Sequence, residues 1–139
     1  MKTKRVLSSF LVLACLVSLI IPTFAATARA SDQIRAYRMD TIVTEGAVNI
    51  EFSITGKIIM NKIGCESIYL YRKSGNAWVF VASKKEDDTG MSKTSKVAHG
   101  NTISFAGTAG TEYMVVVTVF AEDDAARDTR SQTFYVTGK

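Results

Sequence analysis

Val48-Asn49-Ile50-Glu51-Phe52-Ser53-Ile54-Thr55 is the stretch of this 139-residue sequence that decides its fold class. Apolar side chains occupy every second position, and polar side chains occupy the positions between them. Because successive side chains of a β-strand point to opposite faces, this alternation predicts a strand with one buried face and one face in water. The chain after residue 30 contains no helical apolar stripe longer than about two turns. The sequence therefore predicts an all-β fold.

Further segments on both sides of this stretch also have the composition of strands. Gly75 and Asn76 tolerate positive φ and predict a tight hairpin. Segment 112–121 is apolar on both faces, so we expect it at the centre of a sheet. The predicted strands are Ile34–Thr41, Val48–Thr55, Ser67–Arg72, Trp78–Ala82, Thr102–Ala106, Glu112–Ala121 and Arg130–Thr137. Seven short strands at this spacing favour a single antiparallel β-sandwich domain over residues 31–139.

The segment Gly110-Thr111-Glu112-Tyr113-Met114-Val115-Val116-Val117 resembles a fibronectin type III domain, which enters its sixth strand through a Gly-x-x-Tyr corner and alternating valines. The resemblance extends over Ile103–Phe105 and Ser131–Val136. It implies an immunoglobulin-like or fibronectin type III-like sandwich, with the Tyr113 ring in the core and its hydroxyl on nearby backbone. The chain departs from the family because no proline precedes Gly110 and Phe52 stands where Trp is usual. The whole chain also looks like small secreted β-sandwich proteins of Gram-positive bacteria.

Residues 1–30 have the organisation of a secretory signal peptide. A short basic start precedes an apolar run from Val6 to Ile21, and Ala28-Arg29-Ala30 is a small-x-small cleavage pattern. We expect cleavage after Ala30, a secreted protein and no membrane span in the mature chain. The alternatives are cleavage after Ala25, retention of the run as an anchor, and lipidation of Cys15. The run has about 16 residues where a span needs ~20, and it continues beyond Cys15, where lipoproteins turn polar.

The charge of the mature chain argues against nucleic acid as a partner. The leader contains four of the 17 basic residues and no acidic one, so cleavage leaves 13 basic against 13 acidic residues. A neutral chain lacks the excess positive charge that attracts phosphates. Cleavage also leaves Cys65 as the sole cysteine, which excludes an intramolecular disulfide and a cysteine-based zinc site. Cys65 is then either a small apolar residue at a strand edge or a thiol that pairs between chains.

No residue pattern in the mature chain points to catalysis or to a cofactor. His99, the sole histidine, lies in Ala98-His99-Gly100-Asn101, which has the composition of an exposed loop. A Ser-His-Asp site needs a positioned nucleophile, and the chain has no Gly-x-Ser-x-Gly turn. We therefore expect a protein that is not an enzyme, and a small hydrolase would have to act through carboxylates alone.

Acidic residues form two clusters that follow the fourth and sixth predicted strands. In an up-and-down arrangement these loops leave the sandwich at the same pole, which such folds use for binding. Hard oxygen ligands of this kind suit Ca²⁺. Their spacing matches no defined calcium loop, and Lys84, Lys85 and Arg127 neutralise part of their charge, so solvated loops are the default interpretation. The residues are Glu86, Asp87, Asp88, Glu122, Asp123, Asp124 and Asp128.

Aromatic residues lie on the two strands of the predicted hairpin. Tyr69 and Tyr71 are candidates for an exposed partner surface, whereas Trp78 and Phe80 are expected in the core or at its boundary. The sequence thus predicts a secreted, monomeric, non-catalytic recognition module for an extracellular protein or glycan. The alternative is a calcium-stabilised structural domain of a cell-surface or envelope layer.

Overall fold

A computed structural model describes residues 33–139, so the predicted leader and its cleavage after Ala30 lie outside the described residues. Within this range no helix has the length and apolar character needed to cross a membrane. The strands pair antiparallel in one sheet, which confirms the all-β prediction. They are β1 (Ile34–Thr44), β2 (Ala47–Ser74), β3 (Ala77–Lys85), β4 (Ser92–Ala106), β5 (Glu112–Glu122) and β6 (Arg127–Thr137).

The described chain has six strands where the sequence predicted seven, because the second and third predicted strands are one. The region from Ile59 to Cys65, which lies between the predicted strands Val48–Thr55 and Ser67–Arg72, continues β2. Its residues Lys62 to Gly64 pair with β4 on one side and with β5 on the other, so the backbone stays in the sheet. Gly64 makes this possible: its φ is +155°, and a Cβ there would lie 2.2 Å from the Met91 carbonyl oxygen.

β2 is shared by two half-sheets. The first half-sheet consists of β1, β4 and residues 47–64 of β2, and the second consists of β3, β5, β6 and residues 62–74 of β2. Buried side chains from both halves belong to one hydrophobic core, to which β2 contributes Ile50 and Leu70, β4 Phe105 and β5 Val117. An antiparallel sheet whose two halves share one core is compatible with a β-sandwich.

Backbone hydrogen bonds join the chain end to the turns at one pole of the molecule. The Gly46 N–H donates to the Lys139 carbonyl, and the Gly138 N–H donates to the Thr111 carbonyl. Tyr113 lies at the same pole and is 4% exposed. Its hydroxyl accepts a hydrogen bond from the Thr108 N–H at 2.9 Å. The residue thereby connects the loop before β5 to the core.

β4 begins ten residues before the predicted fifth strand, and this changes the environment of His99. His99 was expected in an exposed loop. It is instead half-buried within β4, with its ring edge-on to Phe52 at a centroid distance of 5.6 Å. Its Nε2 lies 2.9 Å from the Gly90 carbonyl oxygen. His99 therefore packs between the core and the β3–β4 turn.

Candidate functional site

The outer face of the second half-sheet carries a group of aromatic side chains. Leu70 and Val115 are buried in the core, so their neighbours Tyr71 and Met114 point outwards. The strand register places Phe80, Tyr71, Met114 and Tyr135 in one row across the four strands. We call the outer face bearing Tyr69, Tyr71, Trp78, Phe80 and Tyr135 the aromatic face.

Two ring pairs organise the aromatic face. Tyr71 and Phe80 meet edge to face, with centroids 6.0 Å apart and planes at 74°. The Trp78 indole meets the Tyr135 ring at 5.7 Å. Phe80 remains 55% exposed and Tyr135 67% exposed. The aromatic face thus leaves two large apolar rings largely in water.

An open cleft of about 380 Å³ lies where Trp78 meets Tyr135. Its wall also carries an ion pair, in which Lys73 Nζ lies 3.0 Å from a Glu112 carboxylate oxygen. The ammonium group is 5.9 Å from the centroid of the Trp78 ring. Apolar rings with a few convergent polar groups in a concavity are the usual composition of a small-molecule site. A second depression, over β1 and β2, is smaller, at about 160 Å³.

The opposite end of the aromatic face is polar. The Lys85 ammonium lies 3.9 Å from the centroid of the Tyr69 ring and contacts its hydroxyl. Ser67 pairs with Lys85 on one side and with Thr118 on the other, and the Thr118 and Ser131 hydroxyls are 2.6 Å apart. Lys73 and Ser67 are six residues apart on β2, which corresponds to about 20 Å along the strand.

β3 forms one edge of the second half-sheet, and a bulge interrupts its ladder. Leu70 pairs with Ala82 whereas Tyr71 pairs with Phe80, so Val81 is an extra residue. A bulge shifts the backbone groups of an edge strand out of the spacing that another strand would need. The β3 edge therefore lacks the regular backbone spacing that the addition of another strand would need.

The structure places the predicted aromatic residues on one face but distributes their exposure differently. Tyr69 and Tyr71 lie on the outer face and are half-buried. Phe80, expected in the core or at its boundary, is among the most exposed apolar residues. Trp78 is half-buried beside the cleft. The sequence prediction did not include Tyr135 in the exposed partner surface. Its position between Phe134 and Val136, which both face the core, is the signal that places its ring on the outer face.

The acidic clusters meet at the other pole, where basic groups bind several of their carboxylates. The Arg127 guanidinium contacts Glu86, Glu122 at 2.9 Å and Glu66 at 3.3 Å, and it stacks 3.7 Å above the Phe120 ring. Hydrogen bonding to Arg127 lowers the pKa of Glu86, against the opposing effect of burial. Arg127 thus joins the β3–β4 turn to β2 and β5.

Lys62 forms a second centre at this pole. Its ammonium lies 2.7 Å from Asp87 and 3.3 Å from Glu86, and the bond to Asp87 is the main cause that raises the pKa of Lys62. The described residues contain no group of three or more His, Cys, Asp or Glu side chains that could hold a metal ion. Three of the predicted ligands form ion pairs with these basic groups: Glu86, Asp87 and Glu122. The other predicted ligands accept hydrogen bonds from backbone or side-chain amide N–H groups, and they are Asp88, Asp123, Asp124 and Asp128.

Hydrogen bonds hold the remaining predicted ligands in or next to the turns at this pole. Asp123 accepts from the Ala125 and Ala126 N–H groups at 2.9 Å each. The Ala126 bond is the largest cause of the lowered pKa of Asp123. Asp124 accepts from the Asn61 amide at 2.6 Å, and Asp128 accepts from the Gln33 N–H at 2.9 Å. These contacts shape the β5–β6 turn and fasten the start of β1 to it.

Cys65 is fully buried in the middle of β2. Its Sγ lies 3.2 Å from the Thr118 carbonyl oxygen and 3.5 Å from the Ser67 carbonyl oxygen. Burial raises the pKa of the thiol to about 12. A protonated thiol without solvent access is neither a nucleophile nor a partner for another chain.

No family model matches the chain, and no curated protein is significantly similar to it.

Proposed function

We propose that this protein is a secreted, non-catalytic recognition module that binds a glycan on its aromatic face. The observation that carries the proposal is the cleft between Trp78 and Tyr135, with the Lys73–Glu112 ion pair in its wall.

The chemistry of the cleft matches that of a sugar. A pyranose ring has apolar C–H faces, which pack on exposed rings such as Tyr135, and hydroxyl groups at its rim. The Glu112 carboxylate accepts hydrogen bonds from hydroxyls, and the Lys73 ammonium donates to them. Both side chains are partly exposed, so they reorient towards a ligand without losing a buried contact. An entirely apolar partner would leave this ion pair without a role.

A retention assay on immobilised polysaccharides tests the proposal. The panel contains cellulose, chitin, starch and peptidoglycan, and the compared proteins are the wild type and the Trp78→Ala and Tyr135→Ala variants. We expect at least one polysaccharide to retain the wild type, and each variant to bind at least about tenfold more weakly. Tyr37→Ala is the matched control, because Tyr37 is 47% exposed on β1 and lies outside the aromatic face.

Two results contradict the glycan proposal. One is equal retention of the wild type, Trp78→Ala and Tyr135→Ala on every matrix that binds. The other is absence of retention together with Trp78-dependent capture of a protein, which assigns the aromatic face to a protein partner. Circular dichroism and thermal melts of each variant show whether the fold is intact.

The finer fold and the location of the protein are part of the same proposal. The buried ring of Tyr113 and its hydrogen bond to Thr108 support an immunoglobulin-like or fibronectin type III-like sandwich. The basic start, apolar run and Ala28-Arg29-Ala30 pattern support secretion of the protein. Expression of the full chain, with recovery from the medium of a protein that begins at Ser31, tests the secretion step.

No specific observation favours the calcium-stabilised alternative. Its candidate carboxylates are engaged by Arg127, Lys62 and the turn backbone, as described above.

A further inference from the structure

Lys85 lies on the aromatic face but outside the Trp78–Tyr135 cleft, so the sugar contacts proposed for the cleft do not involve it. Its ammonium lies over the Tyr69 ring and forms no ion pair with a described residue. The neighbouring carboxylates of Glu86 and Asp87 are directed to Arg127 and Lys62. The Asp88 carboxylate accepts from the Lys85 backbone N–H. Lys85 thus presents a positive charge at the polar end of the aromatic face.

The face between the cleft and Lys85 is continuous. Tyr71 and Phe80 occupy the row next to the cleft, and Tyr69 occupies the row after it. The Thr118 and Ser131 hydroxyls lie in the last row with Lys85. The rows together extend over about 20 Å. A surface of this length suits a chain of sugar residues better than a single sugar.

We propose that the ligand is an extended acidic polysaccharide, which lies along the aromatic face with one sugar in the Trp78–Tyr135 cleft and a carboxylate at Lys85. This inference rests on the proposed function and adds a second subsite to it. An aromatic ring beneath an ammonium holds the charge at the surface, and a carboxylate arriving there forms a charge-assisted hydrogen bond. The serine and threonine hydroxyls of the same row accept and donate to the adjoining sugar.

Matched neutral and acidic oligosaccharides test the second subsite. The probes are cello-, malto- and chito-oligosaccharides from di- to hexasaccharide, each with its C6-carboxylated counterpart. We expect the wild type to bind the carboxylated hexasaccharide of the preferred series about tenfold more tightly than the neutral one. This advantage should be absent for disaccharides and should decrease with added salt.

Variants separate the two subsites. Lys85→Met should remove the preference for the carboxylated hexasaccharide and leave the affinity for the neutral one unchanged, and Lys85→Arg should retain the preference. Lys93→Met is the matched control, because Lys93 is exposed on β4 in the first half-sheet. Trp78→Ala should weaken binding of both forms.

The outcomes distinguish the two proposals. Equal affinity for neutral and carboxylated hexasaccharides, with both dependent on Trp78, overturns the acidic subsite and leaves the glycan function standing. A charge preference that persists in Lys85→Met also overturns it. Failure of every oligosaccharide probe to bind also overturns the acidic subsite, while the retention assay on polysaccharides decides the glycan function separately.

Discussion

Replacing Gly64 by alanine should destabilise the protein severely, because Gly64 lies where β2 passes from one half-sheet to the other. A Cβ at this position would lie 2.2 Å from the Met91 carbonyl oxygen and 2.7 Å from the Ser92 Cα. Both neighbours are backbone atoms, and β4 holds Ser92 in register with Gly64. The clash therefore cannot be relieved by rotation of a side chain.

The expected cost has two parts. Holding alanine at a φ of +155° costs about 1–3 kcal/mol, and moving the backbone around the new methyl group costs about another 1–3 kcal/mol. We expect a loss of about 4 kcal/mol in the free energy of unfolding. For a domain of this size that lowers Tm by roughly 15 °C or more. Urea denaturation followed by tryptophan fluorescence measures the free energy, and calorimetry measures Tm.

Gly75→Ala provides the matched control. Gly75 has a φ of +61° in the β2–β3 turn, and no atom lies within 4 Å of the position its Cβ would take. Its replacement should cost only the strain of the left-handed conformation, about 1–2 kcal/mol. If Gly64→Ala and Gly75→Ala lost the same free energy of unfolding, the close packing of β2 on the Met91–Ser92 backbone would be refuted. The continuous 28-residue strand would be refuted with it.

Three further predictions concern the acidic pole and the buried thiol. Arg127→Met should lower the free energy of unfolding by about 2 kcal/mol at neutral pH. Because folding lowers the pKa of Glu86, the difference between wild type and variant should persist above the unfolded pKa near 4.3 and disappear as pH falls through the folded pKa. Melts at several pH values measure this, and a constant difference down to pH 2 would contradict it. Addition of millimolar Ca²⁺, and then of EDTA, should leave Tm unchanged, since basic side chains already bind Glu86 and its neighbours. A rise in Tm that EDTA reverses would instead support the calcium alternative. Ellman's reagent at pH 8 should label Cys65 only in denaturant, because burial raises its pKa to about 12, and rapid labelling of the native protein would show that the thiol is accessible.

The sequence predicted the strands that have an inward apolar face. The alternation in 48–54 places Ile50 and Phe52 in the core, and Gly75-Asn76 forms the expected hairpin turn. Segment 112–121 is central, because β5 pairs with both β2 and β6. In each case a local pattern corresponds to a local geometry, which is why single-sequence reasoning succeeds there.

The parts that the sequence did not predict depend on distant contacts. Gly56 and Gly64 resemble loop residues, but β4 and β5 pair with the backbone around Gly64 and keep it in the sheet. The first ten residues of β4 are mostly polar, and their strand conformation comes from pairing with β2. Likewise, the contact between Trp78 and Tyr135 joins strands at opposite sides of the second half-sheet, and no pattern within either strand encodes it.

The bulge at Val81 also has a consequence for self-association through the β3 edge. A strand with the composition Trp-Val-Phe-Val-Ala at a regular sheet edge would template the addition of further copies and lead to fibres. The extra residue breaks the hydrogen-bond spacing in the middle of this segment, and two lysines end it. The β3 edge therefore lacks the regular backbone spacing on which a second copy could build a continuous sheet, although the exposed side chains of Val79, Phe80 and Val81 are apolar.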